Sequence, residues 1–422
     1  MPAARPAAQT TTQHLRLSDL QGLAQLAAQG TVGVANIAEG VHANVLRTLG
    51  LPVGQGAATG RTRGLTGFVY RSVRGIARVA GAGSQAVLSL LPVSENATGS
   101  SPQREAALAA LNGVLGDQLA ANSNPLATRM GLYQNGEPVD PLQPPAAANG
   151  KILLLVHGLC MNDLQWASGG QDHGQQLAQA LGYTPLYLRY NTGQHVSDNG
   201  AALATLLQQL VAHWPQPVDD ITVVAHSMGG LVTRSACQLA EQAGMPWRSR
   251  LRHIVFLGTP HHGAPLEQAG HWVDLLLDRT RWTAPFARLG HVRSAGITDL
   301  RHGHVQAADR AEQDRFGPSH ADTRLPLPLP AGVACFALAA TTASELPAAR
   351  PDHWHPTLVG DGLVPVRSAL GAHDDPAMQL HFPEARQFLA TGVNHMQLLS
   401  DAGVAQQMLH WLTPATTRSV RK

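Results

Sequence analysis

The second half of the chain alternates between short apolar runs and amphipathic stretches. Ile152–Val156 is a continuous apolar run, which is typical of a parallel strand buried on both faces. Further strands are predicted at 185–190, 221–225, 252–257 and 333–338, and helices at 171–181, at 198–213, from 229 onward and at 396–412. Such alternation predicts an α/β fold, a mostly parallel sheet with helices on both faces.

Two parts of the chain depart from this alternation. Residues 264–330 carry scattered Trp, His and Arg side chains and end in a Leu-Pro repeat, so we expect a lid-like insertion between two strands. Residues 1–125 contain stretches with helical spacing of apolar residues at 19–49, 64–80 and 103–121, which predict an N-terminal helical extension. The predicted organisation is an extension at 1–125, a Pro- and Gly-rich connector at 126–150, an α/β domain at 151–414 and a tail at 415–422.

Charge changes this picture only near the N-terminus. The formal net charge is +2, which gives no reason to expect a nucleic-acid partner. Residues 1–100 hold eight Arg and three acidic residues, and Arg71, Arg74 and Arg78 share one face of the helix predicted at 64–80. That face is compatible with peripheral membrane contact through residues 61–80, although a helix packed on the main domain with a solvated Arg face is the preferred interpretation.

Neither a signal peptide nor a membrane span is predicted. The first 30 residues lack a long apolar run, and no stretch reaches the roughly 18 apolar residues that a bilayer requires. Cys160, Cys237 and Cys335 are too few for a disulfide framework and indicate buried thiols in a reducing compartment. We therefore expect a cytoplasmic protein whose membrane association, if any, is peripheral.

The most informative segment is Ile221–Leu231, in which a strand is followed by a serine in a sharp turn and then by a helix. Ala225 and Gly229 lie two positions before and after Ser227, where the strand and helix backbones approach and only small side chains fit. This A-x-S-x-G pattern resembles the G-x-S-x-G turn that exposes a nucleophilic serine at a strand end. The alternative is a serine that merely caps a helix.

A nucleophilic serine needs two backbone N–H groups to stabilise the oxyanion that forms at the attacked carbonyl. Met228, directly after Ser227, is placed to provide one of them. Leu159 is the candidate for the other, because it follows a predicted strand end at His157-Gly158 and the glycine permits close backbone approach. An ordinary turn at a strand end is the alternative.

A general base and the acid that orients it are expected to follow the serine in the order Ser, Asp, His. Among 21 histidines, His395 lies in a short loop before the last predicted helix. Asp361 lies on a Gly-flanked loop after the strand predicted at 333–338. The rival bases are His373 and His381, and the rival acids are Asp352, Asp374 and Asp375.

These motifs together resemble bacterial lipases and esterases of the α/β-hydrolase superfamily, in particular lipases similar to GPI inositol-deacylase. The resemblance spans residues 150–412 and rests on the segments at 157–158, 225–230, 258–263, 360–365 and 394–395. It implies an α/β-hydrolase fold and hydrolysis of acyl esters in small molecules or lipids. It also implies that Ser227, Asp361 and His395 form the catalytic triad.

Candidates for the substrate pocket are His157, His226, His261 and His262 near the catalytic motifs, and Trp272 and Phe286 in the insertion. Packing of the insertion onto the domain explains the two aromatic residues equally. No metal is expected, because the paired histidines of the chain lack the spacing of zinc ligands. No cofactor is expected either, because there is no P-loop and no dinucleotide-binding glycine motif after a strand.

Two alternative hypotheses about function are open at this point. An acyltransferase, a thioesterase or an amidase uses the same triad, and only substrate profiling separates these enzymes. A catalytically inactive membrane-binding or scaffold protein could keep the fold without the chemistry. Absence of labelling by a fluorophosphonate probe would favour the inactive protein.

Overall fold

The computed structural model describes residues 18–19, 21–22, 25–26, 102–146, 148–264, 294–310, 322, 324–345 and 360–414. The predicted membrane contact through residues 61–80, with Arg71, Arg74 and Arg78, lies outside the described residues. So do Trp272 and Phe286, and with them most of the lid-like insertion.

In the described part of the chain, eight strands form one sheet. They are β1 (Gly131–Gln134), β2 (Glu137–Val139), β3 (Lys151–Val156), β4 (Thr184–Arg189), β5 (Asp220–His226), β6 (Leu251–Leu257), β7 (Ala334–Thr341) and β8 (Gln387–Thr391). Their order is β2-β1-β4-β3-β5-β6-β7-β8. Strands β3 to β8 run parallel, and the hairpin of β1 and β2 is antiparallel at one edge.

Helices connect the strands and cover both faces of the sheet. They are α1 (Pro102–Ala121), α2 (His173–Leu181), α3 (Val196–His213), α4 (Met228–Gln242), α5 (Ala295–His302), α6 (Val366–Ala369) and α7 (Ala402–Leu412). Short 3-10 helices lie at Asp163–Gly170, Pro246–Arg250, Ala307–Arg310, Glu384–Arg386 and Gln397–Leu399. This strand order with helices on both faces is an α/β-hydrolase fold, which confirms the fold predicted from the motifs.

The core consists of two apolar layers separated by the sheet. Successive side chains of a strand point to opposite faces, so Ile152 and Leu154 pack with α3 and α4, whereas Leu153 and Leu155 pack with α2 and α7. A strand buried on both faces needs apolar residues at every position. That requirement explains the continuous apolar run of β3.

Residues 126–150, expected to form a connector, contain the hairpin of β1 and β2. Asn135 and Gly136 join these strands with φ values of 53° and 82°. Positive φ at both central positions is the type I′ turn that Asn-Gly favours. The Asn-Gly pair was the available signal, but strands of four and three residues are too short for an apolar pattern to define.

The end of the chain also differs from the prediction. The helix expected over 396–412 begins later, because Asp401 is extended and its Oδ1 accepts a hydrogen bond from Val404 N at 2.9 Å, which caps α7. Strand β8, which precedes α7 in the chain, was not predicted. Its side chains are mostly half-buried at the edge of the sheet and show no continuous apolar run.

The chain divides into two compact units, Met1–Arg104 with Ala121–Leu126, and Glu105–Ala120 with Ala127–Lys422. Most of α1 therefore belongs to the larger unit, although the sequence assigned residues 1–125 to a separate extension. Its Ala110 and Val114 lie in the same apolar cluster as Leu132 and Leu159. Among the described residues, no helix is both long and apolar enough to cross a membrane.

Candidate active site

Ser227 forms the turn between β5 and α4 with φ of 54° and ψ of −124°. A residue with a side chain rarely adopts positive φ, so this conformation is strained. Two hydrogen bonds hold it, from Ser227 N to Leu257 O at 2.8 Å and from Gly230 N to Ser227 O at 3.0 Å. The turn therefore fixes the serine at the carboxyl ends of β5 and β6, the edge of a parallel sheet where active sites occur.

Glycines at two positions allow the backbone to pack around this serine. A Cβ atom at Gly229 would lie 2.5 Å from Val156 O and 2.7 Å from His157 O, both backbone atoms. A Cβ atom at Gly158 would lie 2.9 Å from Ser227 Cβ. The turn that follows β3 is thus in direct contact with the start of α4. This contact leaves room only for small residues, as the motif around Ser227 predicted.

The two predicted oxyanion donors lie on either side of this contact. Met228 is the first residue of α4, where backbone N–H groups have no acceptor in a preceding turn and carry the positive end of the helix dipole. Leu159 follows Gly158 in the turn against Ser227, and its side chain is buried. The next residue, Cys160, has φ of 57° and donates its N–H to Thr192 Oγ1 at 3.2 Å, which fixes that turn.

Asp361 and His395 form a buried pair at the same sheet edge. His395 Nδ1 lies 2.7 Å from Asp361 Oδ2, and each residue is 2% exposed. Asp361 Oδ1 accepts hydrogen bonds from Leu363 N at 3.0 Å and Val364 N at 2.8 Å. These bonds orient the carboxylate so that Oδ2 faces the imidazole.

The pair lies next to the turn that holds the serine. A Cβ atom at Gly258 would be 3.2 Å from His395 Cε1 and 3.1 Å from Asp361 Oδ2. Gly258 directly follows Leu257, whose carbonyl accepts the N–H of Ser227. The structure therefore pairs Asp361 with His395 and places this pair beside the turn that carries Ser227.

The rival residues occupy other places. His373 Nε2 lies 3.2 Å from Asp322 Oδ2, and His381 is exposed. Asp374 and Asp375 are exposed, with Asp374 paired to Arg367. Asp352 lies outside the described residues.

His226 contacts His395 directly, which spacing in the sequence could not show. Its Nε2 lies 3.1 Å from His395 O, so the Nε2–H donates to that carbonyl, and the two rings are 4.6 Å apart. Burial first, and the neighbouring His395 second, hold the pKa of His226 well below its usual range. His226 is therefore neutral and supports the backbone of the loop that carries His395.

His157 is also buried and neutral. Its Nδ1–H donates to Gly158 O at 2.9 Å, its ring stacks on Tyr190 at 4.4 Å, and Tyr190 Oη donates to His157 O at 2.9 Å. Burial lowers the pKa of His157 to about 3. These contacts stabilise the turn that carries Leu159.

The other two pocket candidates, His261 and His262, line a small cleft beside α4 together with Arg234 and Arg324. His261 packs edge-on against Phe256 at 4.8 Å. Within the described ranges, no group of three or more His, Cys, Asp or Glu side chains is arranged to hold a metal ion.

Comparison with known proteins gives similarity over part of the chain. Residues 126–303, less than half of the chain, match a domain of unknown function (DUF7379). No curated protein matches the sequence significantly.

Among solved structures, the mature lipase BlEst2 of Bacillus licheniformis is 18% identical with a TM-score of 0.39, over 67% of this chain and 98% of that one. Esterase Pf2001 of Pyrococcus furiosus is 13% identical with a TM-score of 0.36, over 64% and 84%. Likeness at this level concerns the fold alone, which the strand order establishes independently.

Proposed function

We propose that this protein is a serine hydrolase that cleaves carboxylic esters of small molecules or lipids. The observation that carries the proposal is the strained turn at Ser227 beside the buried pair of His395 and Asp361. Strained backbone conformations persist where the surrounding structure enforces them, and they cluster at active sites. A serine that only caps a helix would not require this conformation.

In the proposed reaction, Ser227 Oγ attacks the ester carbonyl carbon while His395 Nε2 accepts the hydroxyl proton. Asp361 Oδ2 accepts the Nδ1–H, fixes the tautomer and stabilises the imidazolium. The N–H groups of Met228 and Leu159 stabilise the oxyanion. The tetrahedral intermediate then breaks the bond to the alcohol, which leaves with the proton from His395.

Water completes the cycle by attacking the acyl-enzyme, with His395 accepting the proton of the water and returning it to Ser227 Oγ. The acid is released and the free serine is restored. We propose that His157 and His226 border the substrate site by holding the turn that carries Leu159 and the loop that carries His395. The finer proposal, that the substrate is a lipid ester of the kind cleaved by lipases similar to GPI inositol-deacylase, follows from the sequence motifs.

Hydrolysis of p-nitrophenyl esters of graded acyl length, from acetate to palmitate, tests the proposal. We expect measurable kcat/KM for the wild-type chain and a loss of several orders of magnitude in kcat for Ser227→Ala, because no other group replaces the nucleophile. Circular dichroism must show an unchanged fold. A folded variant that keeps more than about a tenth of the activity would exclude Ser227 from the reaction.

A further inference from the structure

A second polar site lies beside α4, separate from the proposed nucleophile. It is the cleft lined by Arg234, His261, His262, Asp309 and Arg324, with a volume of about 260 Å³ that includes space open to solvent. Arg234 follows Ser227 by seven residues on the helix, which corresponds to about 10 Å along its axis. The ester chemistry proposed above uses none of the charged groups of this cleft.

In the described part of the chain, Arg234 is a buried cation without a carboxylate partner. It is 5% exposed, its Nη2 donates to Leu327 O at 2.5 Å, and its Nη1 lies 3.5 Å from His261 Nδ1. Its Nε has no hydrogen-bond partner among the described residues. Burial lowers the pKa of Arg234 to about 10, so the guanidinium is charged at neutral pH. A buried charge without a partner is costly, which indicates that a partner of opposite charge is missing.

Among the described residues, Asp309 lines the cleft and Asp322 pairs with the lining Arg324, and both carboxylates already have hydrogen-bond donors. Asp309 accepts three backbone N–H groups, two at Oδ2 from Val305 and Gln306 and one at Oδ1 from Leu325. Asp322 pairs with Arg324 through both carboxylate oxygens. The charge of Arg324 is thereby balanced, whereas Arg234 is repelled by Arg324 and attracted by Asp309 only at long range.

The tautomer of His261 provides a second donor. A guanidinium can only donate, so its 3.5 Å contact with Nδ1 favours the tautomer of His261 that carries its proton on Nε2. Burial, followed by the charge of Arg234, holds the pKa of His261 well below its usual range, so the ring is neutral. Within the described residues, His261 Nε2 is buried and has no acceptor. Two adjacent groups thus each present a buried N–H donor that lacks an acceptor.

We propose that this cleft binds a small oxyanion, a phosphate or a carboxylate, whose oxygens accept hydrogen bonds from Arg234 and His261. A water molecule would satisfy the two donors but not the charge of Arg234, whereas an oxyanion satisfies both. Arginine, histidine and aspartate side chains line much of the cleft, which suits an oxyanion rather than an acyl chain. The site is therefore distinct from the proposed ester site and would be occupied independently of it.

Binding of inorganic phosphate and of acetate to the full chain tests this inference. The midpoint of thermal unfolding is measured against the concentration of each anion, with ionic strength kept constant by sodium chloride. A ligand that binds only the folded state raises the midpoint in a saturable way. We expect saturation with at least one of the two anions, and the anion with the lower saturating concentration identifies the ligand class.

Matched variants locate the site. Arg234→Met should weaken anion binding at least tenfold, because it removes the charge that a hydrogen-bonded anion needs. Arg367→Gln, at a half-exposed arginine outside the cleft, should bind as the wild type does. His261→Phe removes one donor while keeping a ring against Phe256, and it decides the question if Arg234→Met does not fold.

The inference is overturned if neither anion gives a saturable rise in the wild-type chain. It is equally overturned if the folded variants bind with unchanged affinity. Because the readout is the stability of the protein, this outcome does not depend on whether the chain hydrolyses esters.

Discussion

At the residue scale, the backbone of Ser227 is the clearest mark of function. A residue with a side chain at φ of 54° and ψ of −124° costs roughly 1–3 kcal/mol relative to an unstrained one. The hydrogen bonds to Leu257 and from Gly230 enforce this conformation. The cost would serve no purpose in a structural turn, since glycine adopts positive φ freely.

Substitutions of Ser227 test whether its backbone is strained. Ser227→Gly should be more stable than Ser227→Ala by about 1–3 kcal/mol, because glycine relieves the strain and alanine keeps it. Both variants should be inactive. Urea unfolding monitored by circular dichroism measures the difference in free energy of unfolding. A glycine variant that is less stable than the alanine variant would show that the turn is unstrained.

The order of motifs and the loop before the last predicted helix favoured His395 over His373 and His381, but they could not establish that choice. That choice depends on a contact between residues 34 positions apart, Asp361 and His395, and spacing carries no information about it. Arg234 was not singled out at all. One arginine in an amphipathic helix is usually a solvated residue, and only the packing of His261 and Leu327 around it shows that it is buried.

At the element scale, the turn from β5 into α4 depends on close backbone contact with the end of β3. Gly229 approaches Val156 O and His157 O too closely for any side chain. Because both neighbours are backbone atoms of a central strand, they cannot move aside without displacing the sheet. The position of the proposed nucleophile and the position of Leu159 are therefore coupled through this glycine.

Substitution of this glycine tests the coupling. Gly229→Ala should destabilise the protein by about 1–3 kcal/mol, as overpacking does, and should lower kcat by displacing Ser227 from Leu159. The control is Gly403→Ala, at an exposed position of α7 where an added Cβ would lie 3.1 Å from the movable side-chain oxygen Asp401 Oδ1, and it should change stability by no more than about 1 kcal/mol in either direction. Chemical unfolding and ester hydrolysis are measured for both. Equal effects of the two substitutions would contradict the predicted role of Gly229.

The apolar pattern predicted the buried central strands well, because β3, β5 and β6 must be apolar on both faces. It did not predict the edge strands. β1 and β2 are four and three residues long, and β8 is mostly half-buried, so none of them carries a periodic apolar signal. The edges of a sheet have less burial to enforce a pattern, which is why sequence reasoning is weakest there.

At the scale of the whole molecule, buried neutral histidines link folding to pH. Burial lowers the pKa of His157 and of His262 to about 3, and it holds those of His226 and His261 well below the usual range. In the unfolded chain, histidine has a pKa of about 6.5. The unfolded state therefore binds protons below pH 6.5 that the folded state does not bind.

Because the folded pKa is lowered, the stability present above pH 6.5 is lost as pH falls towards 3. Each such histidine should reduce the free energy of unfolding by about 1.4 kcal/mol per pH unit between pH 6 and 5, where carboxylates are still ionised. His157→Gln should remove one such contribution from the slope, whereas His213→Gln, at an exposed position, serves as the control. Urea unfolding at several pH values measures the slope. A slope that is the same in His157→Gln and in the wild type would contradict this prediction.

The whole molecule combines an α/β-hydrolase sheet with a candidate site at the carboxyl edge of its central strands, and the central claim is that Ser227 is the nucleophile of that site. The most direct measurement is labelling of the full chain with a fluorophosphonate probe, followed by peptide mass spectrometry. If Ser227 is the nucleophile, we expect one covalent label per chain, on the peptide that contains Ser227, and no label in Ser227→Ala. A label on another residue, or an unlabelled chain that nevertheless hydrolyses esters, would contradict it.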